Sequence, residues 1–194
     1  MAVTGILCYN LRKGVATPLG GDAQKRQAED HREPMDPWWK NRRGEWYVIV
    51  QGILLILVLV GPKSLPGLPR WSGGATLGVT LLGLALTGAG GLLLTTALLR
   101  LGANLSALPH PVPGASLVAA GPYRLVRHPI YAGIILAALG WGVLNRSTLG
   151  VLYALALFIF FDLKSRREEF WLRQTLPDYD AYRARVRKLI PFIY

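Results

Sequence analysis

The central part of this chain has no acidic residue, because not one Asp or Glu lies between Glu45 and Asp162. The same stretch contains long apolar runs, and 52% of the 194 residues are hydrophobic. A water-soluble domain of this length normally carries charges of both signs over its surface. The pattern therefore predicts an all-α integral membrane protein.

Four apolar runs are candidate transmembrane helices. The second is long enough to cross a bilayer with some tilt, and the other three are short for a full crossing. Asn145 and Arg146 separate the last two runs by a tight turn, which predicts a helical hairpin. Small residues in the second and third runs predict close packing of helices. The predicted spans are 46–60, 75–99, 130–144 and 147–161, with small residues at Gly78, Gly83, Gly88, Gly90, Gly91, Gly133, Ala137 and Gly140.

Basic residues are distributed unevenly around these spans. Of the 22 Lys and Arg residues, nineteen lie in the N-terminal segment, the connection 100–129 and the C-terminal tail. Because Lys and Arg concentrate on the cytoplasmic side of membrane proteins, we expect both termini and this connection to be cytoplasmic. A three-span arrangement would instead put His128 and Glu168 on opposite sides. We interpret the net charge of +11 as membrane topology and not as nucleic-acid binding, since no recognition motif accompanies it.

Residues 1–45 are polar and mixed in charge, which predicts a disordered extension before a membrane domain at 46–194. The composition of this extension fits neither a signal peptide nor an acid-poor transit peptide, and Met35 offers an alternative start. The single cysteine, Cys8, excludes an intrachain disulfide and a cysteine-based metal site.

The tail after residue 161 has an amphipathic helical pattern. We expect Asp162–Gln174 to continue the fourth helix out of the membrane. Pro177 and Asp178 then start a second helix, and Pro191 is expected to end it.

The segment Gly121–Tyr131 concentrates hydrogen-bonding side chains at the start of the third apolar run. Pro129 suits the first position of a helix, so the next backbone N–H groups face the loop. Together with Arg124, Arg127 and His128, these groups can bind an anion or a polar ligand. His128 also fits a simple helix cap, and the sequence leaves both interpretations open.

Lys164 and Glu168 are four residues apart and share one helix face, which fits a solvated ion pair. Alternatively, the carboxylates of Glu168 and Glu169 can accept hydrogen bonds from ribose hydroxyls or an amino group. No metal site is expected, because the other histidines lack ligand spacing. The whole arrangement suits a polar cofactor that meets an apolar substrate at the membrane surface.

These residues resemble the membrane methyltransferase superfamily that includes isoprenylcysteine carboxyl methyltransferases and phospholipid N-methyltransferases. The likeness covers about residues 100–194, and its core is Arg-His-Pro-x-Tyr, then a span, then Glu-Glu. The matching residues are Leu101–Ser106, Leu117, Val118, Gly121–Tyr123, Arg127–Tyr131, Glu168, Glu169, Tyr179, Tyr182 and Leu189–Pro191.

The resemblance implies a helical membrane fold that binds S-adenosyl-L-methionine and methylates a lipidic or prenylated acceptor entering from the bilayer. It implies catalytic roles for His128, Lys164 and Glu168. In the isoprenylcysteine enzymes the residue at Lys164 is an arginine, whose bidentate fork a lysine lacks. The implied cofactor contacts are Ala115, Ser116, Leu117, Val118, Tyr123, His128, Pro129, Ile130, Tyr131, Glu168 and Glu169.

The sequence leaves two chemistries open for the methyl acceptor. Protein-S-isoprenylcysteine O-methylation is favoured, because a carboxylate nucleophile needs no base, whereas the amine of a phospholipid such as phosphatidylethanolamine must first lose a proton. A sterol-reductase-type enzyme with a nicotinamide cofactor and a non-catalytic four-span scaffold are alternatives of other classes. Cofactor binding distinguishes these alternatives from a methyltransferase.

Overall fold

The computed structural model describes residues 44–67, 71, 77–111 and 113–194. Within these ranges the protein is helical, and a single isolated β-bridge joins Val126 to Arg187. The all-α prediction is therefore confirmed for the part that the structure describes. The expected disordered extension, with Cys8 and Met35, lies outside the described residues except for its last two positions. The helices are α1 (Glu45–Val60), α2 (Leu77–Leu101), α3 (Pro129–Leu144), α4 (Thr148–Thr175) and α5 (Tyr179–Arg185).

The first four helices coincide with the predicted apolar runs to within two residues at each start, and α4 continues through Asp162–Gln174 as expected. By length and composition, α2 and α4 could each cross a membrane, whereas α1 and α3 are shorter apolar helices. Only 11% of the most apolar stretch of α2 is buried inside the protein. Such a long exposed apolar surface is unfavourable in water and suits lipid. The four-span topology and its orientation stay predictions.

Helices α2 and α3 pack so closely that their backbones touch. A Cβ added to Gly133 would lie 2.7 Å from the backbone nitrogen of Leu94, and one added to Gly90 would overlap the backbone nitrogen of Ala137. Glycine is needed at these positions because any side chain would push the helices apart. The prediction of close packing is confirmed for Gly83, Gly90, Gly133 and Gly140. It is wrong for Gly78, Gly88 and Gly91, where an added Cβ would have no atom of the described residues within 4 Å.

Helices α3 and α4 form the predicted hairpin. The turn ends at Ser147, whose hydroxyl accepts a hydrogen bond of 2.8 Å from the backbone N–H of Gly150 and so caps α4. Leu157 and Phe161 of α4 are fully buried in the core that this packing creates. Because the two helices run in opposite directions, the start of α3 lies beside the charged half of α4.

The last helix, α5, ends earlier than predicted. It stops at Arg185 and not at Pro191, because the chain then runs extended along residues 126–128. The backbone N–H of Arg127 donates to the carbonyl of Arg187 at 2.7 Å, and that of His128 donates to the carbonyl of Lys188 at 3.1 Å. These long-range bonds fix the loop that precedes α3.

Candidate active site

A cavity of about 550 Å³ lies between the start of α3, the charged half of α4 and the loop 104–118. Its volume is within the range of small-molecule sites, and its wall is mainly apolar with a few polar groups. The cavity is lined by all the predicted catalytic residues and by all the predicted cofactor contacts except Glu169. Those that line it are Ala115, Ser116, Leu117, Val118, Tyr123, His128, Pro129, Ile130, Tyr131, Lys164 and Glu168.

His128 is buried at the first turn of α3, between the two glutamates of α4. Its Nε2 lies 3.0 Å from Oε1 of Glu169, and its Nδ1 lies 3.7 Å from Oε2 of Glu168. Because an ionised carboxylate only accepts hydrogen bonds, Nε2 of His128 is the protonated ring nitrogen and donates a hydrogen bond to Oε1 of Glu169. The imidazole stacks on the ring of Tyr131, with centroids 5.5 Å apart. His128 occupies the N-cap position, but its side chain makes no capping bond, so the interpretation as a simple cap is wrong for the imidazole.

The two adjacent glutamates point to different places. Glu168 faces the cavity, where its Oε2 accepts a hydrogen bond of 2.8 Å from the hydroxyl of Tyr131. Glu169 is buried behind His128 and accepts a bond of 2.9 Å from Nε of Arg127. The structure thus separates a carboxylate that a ligand can reach from a carboxylate that holds other side chains in place.

Lys164 is buried, with 1% of its surface exposed. Its ammonium donates to Oε1 of Gln51 at 2.6 Å and to the carbonyl of Ala107 at 2.9 Å, and it lies 5.3 Å from the centre of the Tyr131 ring. Within the described ranges it makes no ion pair with a carboxylate. The interpretation of Lys164 and Glu168 as a solvated ion pair is therefore wrong.

Gln51 and Asn104 are polar cavity residues that the sequence did not mark as site residues. Gln51 is the only polar side chain of α1 after Tyr47, and a polar residue in an apolar membrane helix is itself a functional signal. Asn104 accepts a hydrogen bond of 3.0 Å from the backbone N–H of Ser116 and so fixes the loop that closes the cavity. Asn104 lies within the matching segment Leu101–Ser106, but the resemblance gave it no role of its own.

The predicted anion site at the start of α3 is only partly assembled. The guanidinium of Arg127 binds Glu169 and donates to the carbonyls of Arg183 and Val186 at the end of α5. Lysine and arginine side chains commonly satisfy the last carbonyls of a helix in this way. Arg124 is exposed and does not line the cavity.

Tyrosines attach α5 to the loop beside the cavity. The hydroxyl of Tyr182 donates a hydrogen bond of 2.6 Å to the carbonyl of Tyr123. Burial raises the pKa of Tyr182 to about 12, so this hydroxyl stays a donor at physiological pH. Tyr179 and Tyr182 pack with Leu176 against Leu117, which joins the tail to the cavity wall.

The chain matches a family described as phospholipid methyltransferase. The match covers residues 79–178, from the first turn of α2 to the residue before α5. It therefore includes the whole of α3 and α4 and every predicted site residue. Within the part of the chain that the structure describes, no three His, Cys, Asp or Glu side chains are grouped to hold a metal ion.

Individual relatives match different lengths of the chain. The nickel-cobalt-cadmium resistance protein NccN of Alcaligenes xylosoxydans xylosoxydans is 29% identical over 160 residues, which are 81% of this chain and 68% of that protein. A probable protein-S-isoprenylcysteine O-methyltransferase of Oryza sativa subsp. indica is 39% identical over 79 residues, which are 40% of this chain and 41% of the rice protein. The cobalt-zinc-cadmium resistance protein CzcN of Cupriavidus metallidurans is 32% identical over 77 residues, 39% of this chain and 36% of that protein.

Proposed function

Because this chain belongs to the phospholipid methyltransferase family, we propose that it uses S-adenosyl-L-methionine to methylate a lipidic or isoprenyl-like acceptor at a membrane. The acceptor that we favour is the carboxylate of a prenylated cysteine, the substrate class in the name of the rice relative. One observation carries this proposal. Glu168, His128 and Lys164 converge on one largely apolar cavity, which can hold both a polar cofactor and an apolar chain.

The groups in the cavity fit the proposed cofactor. Glu168 offers a carboxylate to ribose hydroxyls or to an amino group, and its Oε2 is oriented by the hydroxyl of Tyr131. Leu117, Val118 and Ile130 provide an apolar wall for a base. When bound, S-adenosyl-L-methionine supplies a methyl group that its sulfonium has already activated for transfer.

The protein residues therefore mainly bind, orient and exclude water. His128 is held by its bond to Glu169 and by its stack on Tyr131, so it presents a fixed surface to the ligand. We assign Glu169 a positioning role, because it contacts His128 and Arg127 and does not line the cavity. This assignment revises its predicted role as a cofactor contact.

The environment of Lys164 favours a carboxylate acceptor over an amine. Its buried ammonium is bound by neutral oxygens of Gln51 and Ala107, and among the described residues no carboxylate forms an ion pair with it. A buried cation in this state attracts a substrate carboxylate and repels a protonated amine. Lys164 would thus orient the nucleophile for O-methylation without acting as a base.

We also propose that the cavity opens at the cytoplasmic face of a four-span membrane protein. The helices α1 and α2 expose apolar side chains such as Ile53 and Leu92, which suits contact with lipid. The basic residues of the tail and of the connection 100–129 lie at the same end of the hairpin as the cavity, as cytoplasmic segments would.

The first test is a calorimetric titration of the detergent-purified full chain with S-adenosylhomocysteine and, separately, with NADPH. We expect binding of S-adenosylhomocysteine only, weakened about tenfold or more by Glu168→Gln, since a hydrogen bond to a charged group contributes about 1.5–3 kcal/mol. Asp180→Asn is the control, because Asp180 lies on α5 away from the cavity. Binding of neither ligand by folded protein would instead support the scaffold alternative, and binding of NADPH alone would support the reductase.

The second test identifies the acceptor. Labelled methyl donor is incubated with the protein and either a farnesylated cysteine or phosphatidylethanolamine. Ester formation on the cysteine supports the proposed O-methylation. Transfer only to phosphatidylethanolamine would replace it with phospholipid N-methylation, the alternative that the family description favours.

A further inference from the structure

A second cleft, of about 460 Å³, lies on the far side of Glu169 from the methyl-transfer cavity. The charged half of α4, the helix α5 and the C-terminal segment form its walls. Its lining is strongly basic, with five cationic side chains and one acidic side chain. The lining residues are Arg127, Arg166, Glu169, Arg183, Arg187, Lys188, Ile193 and Tyr194.

Only part of this positive charge is neutralised inside the protein. Lys188 contacts Oδ1 of Asp162 at 2.6 Å, and Arg166 contacts the other oxygen of the same carboxylate at 2.8 Å. Arg127 and Arg183 share Glu169 in the same way, at 2.9 Å and 3.4 Å. Two carboxylates therefore face four cations.

Arg187 adds a fifth positive charge, which no side chain of the described residues neutralises. It is exposed at the cleft, and within the described ranges its guanidinium makes no hydrogen bond or ion pair. Its backbone is nevertheless fixed, because its carbonyl accepts from the N–H of Arg127 and the residue bridges to Val126. Arg183 is also accessible, with 47% of its side chain exposed. The guanidinium groups of Arg183 and Arg187 are therefore accessible to an external anion, and the backbone that carries them is held by hydrogen bonds.

Apolar side chains adjoin the cleft. Phe192 is 87% exposed and Ile193 is 77% exposed, and Ile193 itself lines the cleft. The turn that carries them is ordered, since the N–H groups of Leu189 and Ile190 both donate to the carbonyl of Tyr194 at 2.7 Å. Two large apolar side chains fixed in an exposed position suit the boundary between headgroups and acyl chains.

We propose that this cleft binds the phosphate of an anionic phospholipid, with Arg183 and Arg187 as its main ligands. Guanidinium groups match the geometry of phosphate oxygens and bind them through paired, charge-assisted hydrogen bonds. The exposed Phe192 and Ile193 favour a lipid over free phosphate, because they can contact the acyl chains while the arginines hold the headgroup. The site is separate from the methyl-transfer cavity, although Arg127 lines both.

The test uses the full chain in detergent and measures the affinity for dioctanoyl phosphatidylglycerol by thermophoresis. Dioctanoyl phosphatidylcholine, whose headgroup has no net charge, controls for partitioning into the micelle, and inorganic phosphate is titrated separately. The variant is Arg183→Gln with Arg187→Gln. The matched control is Arg167→Gln with Arg185→Gln, which removes the same charge from exposed positions that do not line the cleft.

We expect phosphatidylglycerol to bind more tightly than phosphatidylcholine, and the affinity to fall about tenfold or more in the cleft variant but little in the control. Equal affinity in the cleft variant and the wild type, or equal losses in the two double variants, would overturn the proposal. If inorganic phosphate binds as tightly as phosphatidylglycerol, the proposal that the bound phosphate belongs to a lipid is overturned. If the double variant does not fold, as judged by gel filtration and thermal unfolding, Arg187→Gln alone is tested against Arg185→Gln.

Discussion

The ammonium of Lys164 lies 2.6 Å from Oε1 of Gln51, so helix α1 contributes directly to the wall of the cavity. The two residues are 113 positions apart in the sequence. In this contact a neutral oxygen accepts a hydrogen bond from a buried cation. Because the acceptor carries no negative charge, the ammonium of Lys164 can still attract an anionic ligand. It also attaches α1 to α4 beside the cavity.

Replacement of Gln51 by Leu should impair both stability and activity. Lys164 would lose one of its two oxygen acceptors, at a cost of about 1.5–3 kcal/mol for a bond to a charged group. We expect a lower midpoint of thermal unfolding in detergent and slower methyl transfer. Ile53→Leu in the same helix is the control, since Ile53 is exposed and lies away from the cavity. Equal unfolding midpoints and equal methyl-transfer rates in the two variants would mean that the contact between Gln51 and Lys164 contributes no stability.

The adjacent glutamates should respond differently to the same amide substitution. Glu168→Gln is expected to reduce the affinity for S-adenosylhomocysteine with little change in thermal stability, because Glu168 faces the cavity. Glu169→Gln should lower the unfolding midpoint, since it removes a buried anion from Arg127 and His128 at a cost of about 3 kcal/mol. Calorimetry and thermal unfolding measured on both variants provide the comparison. Identical profiles would contradict the separation of roles.

The packing of α2 on α3 can be tested at neighbouring glycines. Gly90→Ala should destabilise the protein by about 1–3 kcal/mol, because its Cβ would overlap the backbone of α3. Gly91→Ala meets no atom within 4 Å and should be neutral or slightly stabilising, since alanine favours helix more than glycine. Thermal unfolding of the two variants in the same detergent measures the difference. A similar midpoint for both would argue against direct backbone contact.

The attachment of the C-terminal segment to α4 should depend on the carboxylate of Asp162. Its carboxylate binds Lys188 at 2.6 Å and the hydroxyl of Tyr194 at 2.7 Å, and Lys188 is itself buried. Asp162→Asn leaves that buried ammonium without its counter-charge and should destabilise the protein by about 3 kcal/mol.

Limited proteolysis of the tail and thermal unfolding both measure this effect. Asp180→Asn is the matched control, because Asp180 pairs with Arg173 at an exposed position and such pairs contribute about 0–1 kcal/mol. Equal protease resistance of the Asp162 variant and the control would show that the tail is held by other contacts.

Local patterns in the sequence predicted the helices well and their partners poorly. The apolar runs marked the starts of α1 to α4, because each run must leave water whatever it packs against. Glycine content predicted close packing, but Gly90 contacts α3 whereas Gly91 does not. Adjacent residues of a helix point about 100° apart, and only the placement of the neighbouring helix decides which glycine is covered.

The sequence by itself determined the all-helical class of the described part, the starts of the apolar helices and the residues that the proposed site draws on. These follow from hydropathy and from a local motif, both of which are properties of neighbouring residues. Only the tertiary structure decided that Lys164 binds Gln51, that Glu168 and Glu169 face different cavities, and that α5 ends at Arg185. Those outcomes depend on contacts between segments far apart in the chain, and the geometry of such contacts is set by how whole helices pack.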